Sequence, residues 1–115
     1  MSYPTLFTTP GVKAFAEEID AERQRQLTKW GEQSYPNGTG RPGDTETADR
    51  LRAVCKANSR DEDNWRDILA EEIAEAFAET DPAALRTELI QCAAVIQAWL
   101  WDLDHQPAVL PSSGA

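Results

Sequence analysis

Glu72 is a carboxylate where an amphipathic helix requires an apolar side chain. Residues 63–80 (DNWRDILAEEIAEAFAET) carry helical periodicity, with Trp65, Ile68, Leu69, Ile73 and Ala76 on one stripe. Glu72 projects near the middle of that stripe, with Glu75 and Glu79 on its flank. Burying an ionised carboxylate without a partner costs on the order of several kcal/mol, so such groups are paired, protonated or bound to a metal. The next helical segment, residues 82–104, repeats the anomaly. Leu85, Leu89, Cys92, Ile96, Trp99, Leu100 and Leu103 share a face, with Glu88 inside its edge and Gln91 just outside. A short turn around Asp81-Pro82 makes the two helices antiparallel neighbours and brings Glu72, Glu75, Glu88 and Gln91 toward one patch. That patch offers only oxygen donors, which suits a hard divalent cation such as magnesium.

The elements that must position this patch follow from periodicity and punctuation. Residues 1–9 read as an N-terminal arm. A first helix is expected from Pro10 or Gly11 to Trp30, with Val12, Phe15, Ala16, Ile19, Leu27 and Trp30 on its core face and Gly31 as its stop. Arg23 and Gln26 fall on that same face. Residues 31–43 form a Gly/Pro-rich loop that is either a plain connection or a lid. It is not a Walker phosphate loop, since G-x-x-x-x-G-K-[ST] is absent. Asp44 or Thr45 caps a second helix running to about Asn58, with Ala48, Leu51 and Cys55 inward. Asp81 caps the last helix, with Pro82 at its first position. The expected fold is all-α: one helical domain over residues 10–105, four helices, the last two forming an antiparallel hairpin, then a tail over residues 106–115.

Composition narrows the function classes. Twenty acidic residues against 11 Lys plus Arg give a net charge of −9, which argues against binding nucleic acid or an anionic membrane surface. No apolar run approaches the ~20 residues that span a bilayer, and the opening residues show no signal-peptide h-region, so no secretory leader is expected. Cys55 and Cys92 form neither a zinc motif nor a disulfide framework, so reduced thiols and a cytoplasmic location are expected. His105 with Asp102 does not make a di-iron site, which needs Glu-x-x-His on two helices. Trp99 and Trp101 project to different sides of their helix, one over the core and the other toward a subunit interface.

Glu71-Glu72-x-x-Glu75, followed after twelve residues by Glu88-x-x-Gln91, closely resembles the E-E-x-x-E … E-x-x-D signature of the MazG-like all-α nucleoside triphosphate pyrophosphohydrolases, relatives of the dimeric dUTPases. The resemblance covers residues 65–101. Residues 22–33 (ERQRQLTKWGEQ) also look like the N-terminal part of small MazG-like proteins from phages and actinobacteria. It implies a four-helix MazG-like bundle completed as a homodimer or homotetramer, in the cytoplasm, or the host cytoplasm if phage-encoded. It further implies magnesium, with manganese as a substitute, and cleavage between the α and β phosphates to give a nucleoside monophosphate and pyrophosphate. By position, Glu72, Glu75 and Glu88 would be metal ligands, Gln91 would stand in place of the motif's Asp, and Glu71 would orient or deprotonate the attacking water. Lys29, Trp30, Arg23, Gln26 and Lys56 are the expected substrate-binding residues, Trp30 stacking on the base and Lys29 meeting phosphate, although Trp30 also fits as the close of a core face. Because Gln91 lacks the Asp charge, a non-catalytic nucleotide-binding or regulatory module is the alternative. A third is an interaction protein whose acids contact a basic partner. Without a metal, the carboxylates would need cations from Arg23, Arg52 or Lys56.

Overall fold

A computed structural model describes residues 7–107 and is all-helical over them: α1 Val12–Trp30, α2 Asp44–Ala57, α3 Trp65–Ala78 and α4 Pro82–His105. Residues 1–6 of the expected arm (1–9) and residues 108–115 of the expected tail (106–115) lie outside the described residues. Among those described, no helix is long and apolar enough to cross a membrane.

The helix ends follow local chemistry. Asn64 caps α3, its side chain accepting from the Asp67 N–H at 2.8 Å. Asp81 caps α4 as expected, accepting from Ala84 N at 2.9 Å, with Pro82 in the first turn. For α2 the cap is Gly43, and Asp44 is the first helical residue, its carboxylate accepting from Arg41 N at 2.8 Å. α1 begins at Val12, one residue after Gly11, the later of the two expected starts, and Gly11 itself takes a left-handed φ of 84° as the cap. A Cβ at Gly11 would also collide with the indole of Trp101, so both backbone and space demand glycine there.

α2, α3 and α4 pack side by side as one layer, with α3 in the middle. The start of α3 meets the end of α4 where Trp65 Nε1 donates to Asp102 Oδ2 at 2.7 Å. The core is small: Ala48, Ala74, Ala76, Leu85 and Cys92 are its buried apolar residues, with Ile73 packed against Ala76, Leu85 and Cys92. Alanine dominates, so the helices approach closely but bury little side-chain volume each.

The expected core face of α1 is not covered within the chain. Val12, Phe15 and Ala16 are half-buried, whereas Ile19, Leu27 and Trp30 are exposed, and no residue of α1 is buried. The cause is that α1 meets α4 only at its own beginning, where Gln97 Nε2 donates to the Pro10 carbonyl at 3.0 Å. Four helices are present, but the single chain does not close them into a bundle. Downstream of α1, Gly40 N donates to the Phe77 carbonyl at 2.7 Å and ties the connecting loop to the end of α3. Gly40 has φ 73°, and a Cβ there would strike the Thr80 side chain.

Candidate metal centre

Two facing helices and one turn assemble the site. Glu72 and Glu75, three residues apart on α3, lie one above the other, and Glu88 faces them from α4. One carboxylate oxygen from each of Glu72, Glu75 and Glu88 lies within 4.8 Å of the others, and all three residues are half-buried. Three acids this close repel one another, and burial strips them of water. Glu72 is accordingly held above the usual carboxylate range, first by desolvation, then by the charges of Glu75, Glu88 and Glu71. Glu88 is raised for the same leading reason, then by Glu75 and Glu79, with Arg52 opposing the shift.

Arg52 of α2 is the cation that the fold delivers. Its Nη2 and Nε lie 3.2 and 3.3 Å from Glu75 Oε1, and its Nη1 lies 2.9 Å from Asp49 Oδ1. The guanidinium borders a cleft of 230 Å³ lined by Thr45, Asp49, Glu75, Glu79 and Glu88 among others. Of the three cations that the sequence offered as partners, only Arg52 reaches the acids. Glu79, on the flank of the α3 stripe, is half-buried on this cleft.

Gln91 stands beside the cluster. In the amide orientation that satisfies its neighbours, its nitrogen donates to Glu72 Oε2 at 3.3 Å and to Glu88 Oε2 at 3.1 Å. It is thus placed as a donor to the acids and would have to rotate its amide to offer the carbonyl to a cation. Glu71 sits on the α2 side of α3, where, after desolvation, it helps push the Cys55 thiol up to about 11.

The expected substrate residues do not join the cluster. Arg23 donates to Gln26 on its own helix, and Lys29 Nζ lies 4.7 Å from the centroid of the Trp30 ring. Trp30 is 56% exposed, so it closes no core face in this chain. All four lie on the part of α1 that leaves the layer, and Lys56 is exposed on α2 with no ion pair among the described residues. Periodicity gave Arg23, Gln26 and Trp30 a shared face but not a destination.

Oxygen-only donors, mutual repulsion and partial burial suit a hard divalent cation, which would hold the three carboxylates together. No protein-family model matches the chain, and neither a curated protein nor a solved structure matches it.

Proposed function

We propose that the protein is a magnesium-dependent nucleoside triphosphate pyrophosphohydrolase of the MazG-like kind, with manganese as a substitute ion, acting as a homodimer or homotetramer. The observation that carries this reading is the convergence of Glu72, Glu75 and Glu88 oxygens within 4.8 Å. The resemblance of Glu71-Glu72-x-x-Glu75 and Glu88-x-x-Gln91 to the family signature supports it.

In this reading Glu72, Glu75 and Glu88 hold the ion. Bound there, a divalent cation offsets charge developing on phosphoryl oxygens and lowers the pKa of water. Arg52 keeps Glu75 oriented at the mouth of the cleft and offers its free N–H groups to a phosphate. Glu71 is the proposed base, and Gln91 holds Glu72 and Glu88 through its amide until its carbonyl is turned inward. A non-catalytic nucleotide-binding module is the second reading. It is favoured by one observation, that Arg52 and Gln91 already supply donors to the three acids.

The test is release of pyrophosphate and monophosphate from a panel of nucleoside triphosphates, with and without magnesium. Ion-dependent release of both products is the expected result. Silence across the panel, with nucleotide binding intact in a thermal-shift assay, would replace hydrolysis by the second reading.

A further inference from the structure

Away from the metal centre, the start of α1 and the last turns of α4 enclose a cleft of 100 Å³. One wall carries Gly11, Phe15 and Glu18, and the other carries Gln97, Leu100 and Asp104. The bond from Gln97 Nε2 to the Pro10 carbonyl closes one end, beside Gly11, whose missing Cβ makes room for the Trp101 indole. The polar groups that line the cleft are acceptors in want of donors. Glu18 and Asp104 join no ion pair among the described residues, and neither Lys nor Arg is part of the lining. Lys13, nearby on α1, is held by Glu17 at 2.8 Å. Gln97 is only 9% exposed, and while its Nε2 is used, its carbonyl oxygen has no donor among the described residues. No side-chain oxygen or nitrogen among those residues is both sealed from solvent and unpaired, so this oxygen opens on the cleft that Gln97 lines. His105 Nδ1 donates to the Trp101 carbonyl at 2.7 Å, which leaves Nε2 of the neutral ring as a further acceptor. The negative end of the α4 dipole adds to them.

Acceptors toward both ends, with Phe15 and Leu100 between them, describe a ligand that has a cationic donor at each end and methylenes in the middle. We propose that this cleft binds a short aliphatic diamine, one ammonium between Glu18 and Asp104 and the other donating to the Gln97 carbonyl. Length agrees. Gln97 and Asp104 are seven residues apart on α4, about 10 Å along the axis. Two hydrogen bonds of about 3 Å each leave roughly 4–5 Å between the nitrogens, the span of a short diamine. A metal ion does not suit the cleft, because among the described residues only Glu72, Glu75 and Glu88 gather closely enough to hold one. Glu18 stands on α1 and Asp104 on α4, so the bound diamine bridges two helices that otherwise meet only at the start of α1.

Trimethylenediamine titrated into the isotope-labelled full chain by NMR, with magnesium present to occupy the acid cluster, tests the proposal. Saturable shifts of the Gly11 amide, the Gln97 side-chain amide and the Trp101 indole are expected, together with slower amide exchange across α1. Propylamine, which has one ammonium, should bind roughly tenfold more weakly, and propanol should not bind. Glu18→Gln and Asp104→Asn should each weaken the diamine by roughly tenfold. Both positions are exposed, so the variants keep the fold. Asp20→Asn, which removes the same charge from α1 outside the cleft, should leave binding unchanged. Shifts that do not saturate, or an equal effect of Asp20→Asn, would reduce the amine to a diffuse counter-ion and overturn the site. Equal binding of propylamine would overturn the two-ended ligand, and shifts centred on Glu72, Glu75 and Glu88 would move the amine to the metal centre and overturn the cleft. None of these results bears on hydrolysis, which is read from product release.

Discussion

Arg52 Nη2 lies 3.2 Å from Glu75 Oε1, so a cation from α2 already stands against the ligand set of α3 and α4. A divalent ion entering the cluster meets this charge as a competitor. Arg52→Gln should therefore tighten manganese binding by about tenfold, equivalent to ~1.4 kcal/mol, in titration calorimetry without nucleotide. The same change should weaken nucleotide binding, because a donor for phosphate is lost. Opposite signs in the two titrations are the expected signature, and parallel changes would assign Arg52 to structure alone.

Glu72→Gln should abolish hydrolysis, by roughly 100-fold or more in kcat, while leaving the apo protein as stable as before or slightly more so. The variant removes one of three mutually repelling charges. Product release assayed beside thermal melting checks both halves, and retained turnover would dismiss the site.

Glu72 and Glu88 have raised proton affinity in the fold, so the folded state binds more protons than the unfolded one between the ordinary carboxylate pKa and the raised values. Their contribution to stability is fully present below the unfolded pKa and is lost as pH rises through the folded values. Denaturant melts from about pH 4.5 upward should show the metal-free protein weakening with pH through this pair. Glu72→Gln should flatten that slope, and saturating magnesium should reverse it.

Gln91→Asp restores a fourth carboxylate beside the cluster and removes an amide donor from Glu72 and Glu88. Magnesium affinity should rise by about tenfold, ~1.4 kcal/mol, and the metal-free protein should melt earlier because four acids now crowd one cleft. An unchanged magnesium titration would show that position 91 lies beyond the ion's reach.

Away from the site, Asp102→Ala leaves the Trp65 indole N–H without its acceptor between α3 and α4. A loss of about 1–2 kcal/mol is expected in equilibrium unfolding. Asp102→Asn keeps an oxygen in place and should recover most of it.

The helices were legible because their ends are punctuated: Gly31 stops α1, and Asp81-Pro82 starts α4. The acid cluster was legible because Glu72 broke an apolar stripe. What periodicity does not carry is whether a partner exists for the face it defines. Ile19, Leu27 and Trp30 share a side of α1 as expected, yet they stay exposed because α1 leaves the layer after its first turns. Arg52 was one of three cations with an equal claim on the acids. Only the packing of α2 against α3 selects it.

The isolation of α1 also has a consequence in time. With no buried residue and its ion pairs confined to its own surface, the helix can open and reclose without disturbing the α2–α4 layer. Its amide protons should exchange with solvent as a separate, faster unit. Under brief trypsin treatment the bonds after Arg23, Arg25 and Lys29 should be cut while those after Arg52 and Arg86 are still intact. The molecule thus carries two clocks, a slow one in the layer that holds the acids and a fast one in the helix that precedes it.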